Sequence, residues 1–241
     1  MEIKRKTKIP RRRSDYVEEA LRILQGKQSD PKEMLELAKK LKAETHMSYA
    51  RRLLLRASKH ETVSEDKTLR RKIYQQLALC TYKDQDLPPD DRFQRAIDAL
   101  NEIDDFATTT DQETLGLLGA IYKRKWEVDE QRQNIERSLR YYLRGYEQGP
   151  AYDQGYTGIN AAFVLDQLAD LLDKEAKAIG ESSSIAEANR KLAKEIRLVI
   201  TMQVAPLLHD PAHQWVADQW WYYATLGEAY FGLKQYDEAV K

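Results

Sequence analysis

One cysteine, Cys80, in 241 residues leaves nothing to pair into an internal disulfide. That usage fits a reducing, cytoplasmic setting. Glycine and proline are also scarce, at 10 and 7 residues, against roughly 12% of an average chain. The shortage disfavours a turn-rich β-sandwich or barrel, and low-complexity disorder as well. No apolar run nears the ~18–20 residues a bilayer span needs, so no transmembrane helix and no membrane insertion are expected. The basic start is not followed by an apolar segment, so no secretory signal is expected. An excess of one charge sign is missing too. The 39 Lys and Arg balance 39 Asp and Glu, which excludes a uniform polycation.

The balance is uneven along the chain. Residues 1–13 hold seven basic side chains against Glu2 alone, a net +6 that leaves −6 for the remainder. Such a block predicts a solvated, disordered tail, with a phosphate-rich or membrane-surface contact as the other reading.

Helical periodicity fills the rest, and no segment alternates as a strand. Ser14 starts a helix that ends at Gly26. Asp30-Pro31 starts a second, with Asp30 as cap and Pro31 in the first turn. A third follows through Met47, Ala50, Leu53, Leu54 and Ala57. Further helices are predicted over about 67–82, 89–104, 111–126, 134–148, 157–173, 183–206 and 213–233, and one more begins at Asp237. Tyr236–Lys241 stops inside that second helix, so a further domain, with an attached effector, or a cut end is expected beyond Lys241.

The helices repeat. Tetratricopeptide repeats carry W-x2-L-G-x2-Y on the first helix and a small residue about twelve positions later on the second. Small side chains let paired helices approach where they cross. Leu118, Gly119 and Tyr122 carry the first-helix signature, and Ser138, Tyr142 and Gly145 the second-helix one. Gly227, Tyr230 and Ala239 repeat it near the end; Ala38 with Ala50, and Ala78 with Ala96, fit more loosely. Residues 157–206 fit only as a helix pair. Ala38, Ala78 and Gly119 are about 40 positions apart. The fold predicted is all-α, a right-handed α-solenoid of tetratricopeptide-like helix pairs with about 10–11 helices, spanning residues 14–241.

Chemistry-bearing motifs are absent. There is no phosphate-binding glycine loop, no nucleophile elbow and no metal-binding His-Glu-x-x-His. His209 and His213 are spaced as a metal pair would be, but no third ligand accompanies them. Cys80 lies among apolar neighbours and reads as a buried thiol. Asp90-Asp91 and Asp104-Asp105 fall at helix ends, where capping accounts for them. No catalytic residue, cofactor or metal is therefore expected.

The inner groove of such repeats is lined by first-helix positions counted from the small crossing residue. From Ala38 these are Lys32, Leu35, Lys39, Lys42 and Ala43; from Ala78 they are Lys72, Gln75, Leu79, Tyr82 and Lys83. From Gly119 they are Glu113, Gly116, Ala120, Lys123 and Arg124. Seven of the fifteen are basic and one is acidic, in a body of net −6. Solvated helix faces explain this blandly. The sharper expectation is a partly basic groove, with Lys39, Lys42, Lys72, Tyr82, Lys83, Lys123 and Arg124 meeting an acidic peptide, a nucleotide or nucleic acid, or a phosphorylated partner. In the cluster Trp215, Trp220, Trp221, Tyr222 and Tyr223, packing is the commoner role, with Trp221 the residue expected to face a groove.

Glu113–Trp126 (ETLGLLGAIYKRKW), Ser138–Glu147 (SLRYYLRGYE) and Tyr156–Leu165 (YTGINAAFVL) together resemble the TRAFs-binding domain, a tetratricopeptide-like segment in the regulatory region of the apoptosis signal-regulating kinases. Leu77–Leu87 (LALCTYKDQDL) adds to the likeness with the bacterial branch, and the resemblance covers roughly 70–205. It implies a non-enzymatic helical scaffold that gathers protein partners in stress or defence signalling, beside an effector. No kinase sequence is present, so kinase activity does not carry over. Tyr122, Lys123, Tyr142, Gly145, Gly158 and Asn160 match the motif. Gly145 and Gly158 read as close-packing or turn positions and Asn160 as a satisfied polar group at a helix start.

Overall fold

Helix starts are written in acidic and hydroxyl side chains, and in the computed structural model, which describes residues 14–240, they cap as their chemistry dictates. Ser14 accepts from the Tyr16 amide ahead of α1 (Asp15–Leu24). Asp30 and Glu33 close a capping box with Pro31 as the first residue of α2 (Pro31–Ala43). After α3 (Met47–Ala57) comes a single turn, α4 (Glu61–Glu65), which the sequence pattern does not predict because five residues show no periodicity. Asp66 caps α5 (Lys67–Lys83) at the Leu69 amide. The basic segment 1–13, expected to be a tail, lies outside the described residues.

The chain divides into two compact units at Pro88/Pro89. In the first, α2 packs on α3 and α3 on α5. Ala38, Ala50 and Ala78 are buried at these contacts with Leu41, Leu53, Leu54 and Ile73. An ion pair is sunk in this unit. Arg51 Nε lies 2.7 Å from Asp84 Oδ2, and the Asp84 side chain is only 2% exposed. Asp84 also accepts from the Asp86 amide.

The second unit continues with α6 (Pro89–Asn101), α7 (Gln112–Asp129), α8 (Arg132–Tyr146), α9 (Tyr156–Ala178) and α10 (Ser184–Gln203). Two 3-10 segments, Ala205–His209 and Pro211–Asp218, lead into α11 (Trp220–Gly232) and α12 (Tyr236–Ala239). The pairs α7/α8, α9/α10 and α11/α12 pack as neighbours. Among the described residues there are twelve α-helices and no strand. The chain is thus all-helical, built of neighbouring helix pairs as the tetratricopeptide pattern requires.

Two helices differ from their sequence pattern. α9 runs to Ala178 rather than 173, carried on by the helix formers Lys174, Glu175, Ala176 and Lys177, with Glu175 beside Arg132. The single helix expected over 213–233 is broken at Gln219, whose backbone is extended. The break lets Tyr222 sink to full burial and donate its hydroxyl to the carbonyls of Val204 and Ala205, just past the end of α10.

The loop between α6 and α7 is held from α8. Arg144 donates to the carbonyls of Phe106 (2.6 Å), Ala107 (3.3 Å) and Thr109 (2.8 Å). In return Gln112 of α7 donates to the carbonyls of Gly145 and Gly149.

Candidate interaction surface

The crossing of α7 and α8 sets the geometry. Ser138 Oγ donates to the Gly119 carbonyl at 2.8 Å, and a Cβ on Gly119 would sit 2.7 Å from the Tyr142 ring. No side chain but hydrogen fits there. Leu118 and Tyr142 are fully buried, and Tyr122 stacks on Tyr141 at 5.7 Å. The next crossing repeats the device. Gly145 faces Thr157, and Gly158 faces Tyr146, Ile196 and Ile200, each too closely for a methyl to enter without displacement. Ala96 is buried in α6. Gly227 lies against the Ala239 carbonyl at 3.3 Å, while Tyr230 stays half-buried.

α9 begins on a left-handed Gly155 (φ 82°), where a side chain would meet Thr225, Ile200 and Val204. Asp153 takes the place of an ordinary cap, accepting from the amides of Gly155 and Thr157 and from the Thr157 hydroxyl. Burial pushes its carboxyl above the usual range, against those hydrogen bonds. This anchoring aims Tyr156, Asn160 and Phe163 along the face that α9 shares with α7.

Lys123 reaches that face from α7. Its ammonium donates to Asn160 Oδ1 at 2.8 Å and lies 5.1 Å from the Phe163 ring centroid and 5.8 Å from that of Tyr142. Asn160 in turn donates to the Tyr156 carbonyl, so it is the satisfied polar group expected. Burial, then the neighbouring Arg124, lowers the Lys123 pKa, while Glu127 and Glu228 of α11 pull it back up. Phe163 remains 43% exposed beside this cation. The ring of Tyr156 covers Gly116, at 2.9 Å from where its Cβ would be. A desolvated ammonium with three donors, one taken by Asn160, beside an open aromatic ring suits an anionic group carried on an apolar body.

The other predicted contacts divide. Lys39 and Lys72 are exposed in the first unit, with Lys39 paired to Glu36. Lys42 is half-buried and ties α2 to α5 through Gln76 at 2.7 Å. Lys83 lies over the ring of Tyr82. Tyr82 itself is buried, as are Leu35, Gln75, Gly116 and Ala120, so these positions serve packing rather than an open lining. Arg124 is exposed and bridges to Glu127. Trp221 is half-buried, donating to Gln219 and tilted against Trp215, while its neighbour Trp220 is the exposed one, at 79%.

Phe163 and Asp153 are not singled out by the sequence pattern. Counted from the buried Ala162, Phe163 falls at the offset that gave Lys39, Leu79 and Ala120 in the earlier repeats. Asp153 carries no signal, because its role depends on the left-handed turn that follows.

Among the described residues no group of three side chains is placed to hold a metal. His213 bonds Asp210 at 2.8 Å and belongs to the turn there. Cys80 is buried, and burial lifts its thiol to about 11. No helix of the described residues is long and apolar enough to cross a membrane.

No curated protein and no solved structure matches the chain. The profile of the Tetratricopeptide Repeats-Sensor family matches residues 30–165, more than half of it. That span includes the Gly119–Ser138 crossing and the Lys123–Asn160–Phe163 face. With helices paired over small residues in both units, the chain belongs to the Tetratricopeptide Repeats-Sensor family.

Proposed function

We propose that this protein is a non-enzymatic repeat module that recognises an acidic peptide segment of a protein partner through the α7/α9 face and so regulates an attached or associated effector. The observation that carries the reading is the open Phe163 ring beside the half-buried Lys123 ammonium. The ring offers apolar surface directly beside a cation, and a carboxylate carried on an apolar body covers both at once. The likeness of 113–165 to the TRAFs-binding domain supports a place in stress or defence signalling of a bacterial cytoplasm. A second reading, a sensor for a nucleotide or nucleic acid, draws on the same ammonium and ring. Phosphate and base would meet them as carboxylate and side chain do.

The two readings separate in calorimetric titrations of a Glu-rich dodecapeptide, of ATP and of a single-stranded oligonucleotide. Peptide binding that weakens with salt, and that Phe163→Ala weakens tenfold or more, is the expected result. Phe163→Ala should leave melting unchanged, because the ring is half in solvent. Binding of ATP or oligonucleotide instead, with the same sensitivity to Phe163→Ala, favours the sensor. Binding indifferent to Phe163→Ala removes this face from both readings.

A further inference from the structure

Of the second helices in this unit, α6 and α8 turn polar faces outward and α10 does not. α6 exposes Asp90, Asp91, Gln94, Arg95 and Asp98, and α8 exposes Arg132, Gln133, Glu136, Arg137 and Arg140. α10 uses two of its sides as expected. Ala186, Ala193, Ile196 and Ile200 are buried, and Arg190 and Arg197 pair with carboxylates of α9. Its third side is apolar and open. Ile185 is 62% exposed, Leu192 38% and Met202 73%, with Ala188 exposed and Val199 half-buried between them.

These residues fall at 185, 188, 192, 195, 199 and 202, spacings of three and four in alternation. That is the seam of a two-helix coiled coil, and Glu195 is its one polar member. The seam is self-complementary when reversed. In an antiparallel pair of identical helices, Ile185 meets Met202, Ala188 meets Val199, and Leu192 meets the aliphatic stem of Glu195. A single register satisfies all three. It also sets each Glu195 carboxylate beside Lys191 of the other copy, whereas a parallel pair would set Glu195 against Glu195. Within one chain, Lys191 and Glu195 make only a loose, exposed contact at 4.0 Å.

We infer that α10 is a two-fold interface at which a second copy of this chain docks its own α10, antiparallel, with Leu192 at the centre and reciprocal Lys191–Glu195 pairs at the flanks. A seam of five turns buries on the order of 1,000 Å² in total, the low end for specific association, so the dimer is reversible and weak. This does not depend on the α7/α9 face or on what it binds.

Sedimentation equilibrium of the full chain, from about 1 to 300 µM, tests the inference. The expected result is a concentration-dependent monomer–dimer equilibrium. Leu192→Glu should raise the dissociation constant at least tenfold with helical circular dichroism and melting unchanged, since the side chain is already half in water. Lys191→Glu and Glu195→Lys should each weaken the dimer severalfold, and the double variant K191E/E195K should restore it. A chain that stays monomeric throughout overturns the inference, leaving the stripe to some other partner. So does a dimer indifferent to Leu192→Glu, or one that the double swap fails to restore.

Discussion

Gly119 and Gly227 occupy equivalent positions in two repeats, yet their surroundings set opposite outcomes for the same change. An alanine in place of helical glycine gains about 1 kcal/mol from backbone entropy. At Gly119 the added methyl would press into the Tyr142 ring, itself fully buried, and overpacking of this kind costs about 1–3 kcal/mol. At Gly227 the neighbour is a carbonyl of the short final helix, which is free to give by a few tenths of an ångström. Thermal melts should therefore show Gly119→Ala lowered by several degrees and Gly227→Ala unchanged or slightly raised. Asp153 makes a second prediction, in pH. Its folded pKa lies above the unfolded value, so the folded chain holds this proton longer. The associated stability is fully present below about 3.8 and is lost as pH rises through the folded pKa, the reverse of an ion-paired carboxylate. The melting temperature of Asp153→Asn relative to the native chain should climb between pH 4 and 7. A flat difference would place the burial cost elsewhere.

At the scale of the helix, the sequence is legible wherever a cap and a period coincide. Asp30-Pro31, Asp66, Asp111 and Ser183 all cap the helices that their positions announce. The small residues at 38 and 50, and at 119 and 138, are buried in the pairs α2/α3 and α7/α8. What could not be read is local geometry that depends on distant partners. The break at Gln219 has no proline or glycine to mark it. It follows from the pairing of the Tyr222 hydroxyl with two carbonyls just past the end of α10. Removing that hydroxyl takes one donor from the Val204 carbonyl, which keeps the Leu207 amide, a loss of about 0.5–1.5 kcal/mol. Tyr222→Phe should lower the melting midpoint accordingly and speed amide exchange at the junction of the 3-10 segments with α11, while exchange in α7 and α8 stays as it was. For the positions counted as a groove lining, exposure could not be read from the sequence. Counting from a crossing residue cannot tell that Tyr156 will lie over Gly116, or that Tyr82 will be buried.

For the whole molecule, the forty-residue spacing reveals the repeat but not where it divides. Pro88-Pro89 marks a helix start in the pattern, and the same pair separates two compact units. Limited proteolysis should cut early in the Asp84–Pro88 connection, and the fragment from Pro89 onward should keep its helical circular dichroism and melt cooperatively. Loss of helicity on cleavage would show that the units depend on one another to fold. Within the second unit, the hold of Arg144 on three carbonyls of the α6–α7 loop has a mechanical meaning. The longest stretch without helix in that region is braced rather than slack, and the return bonds from Gln112 oppose sliding in the other direction. A displacement of α8 is therefore handed on to the end of α6 with little damping, as through a strut rather than a cord.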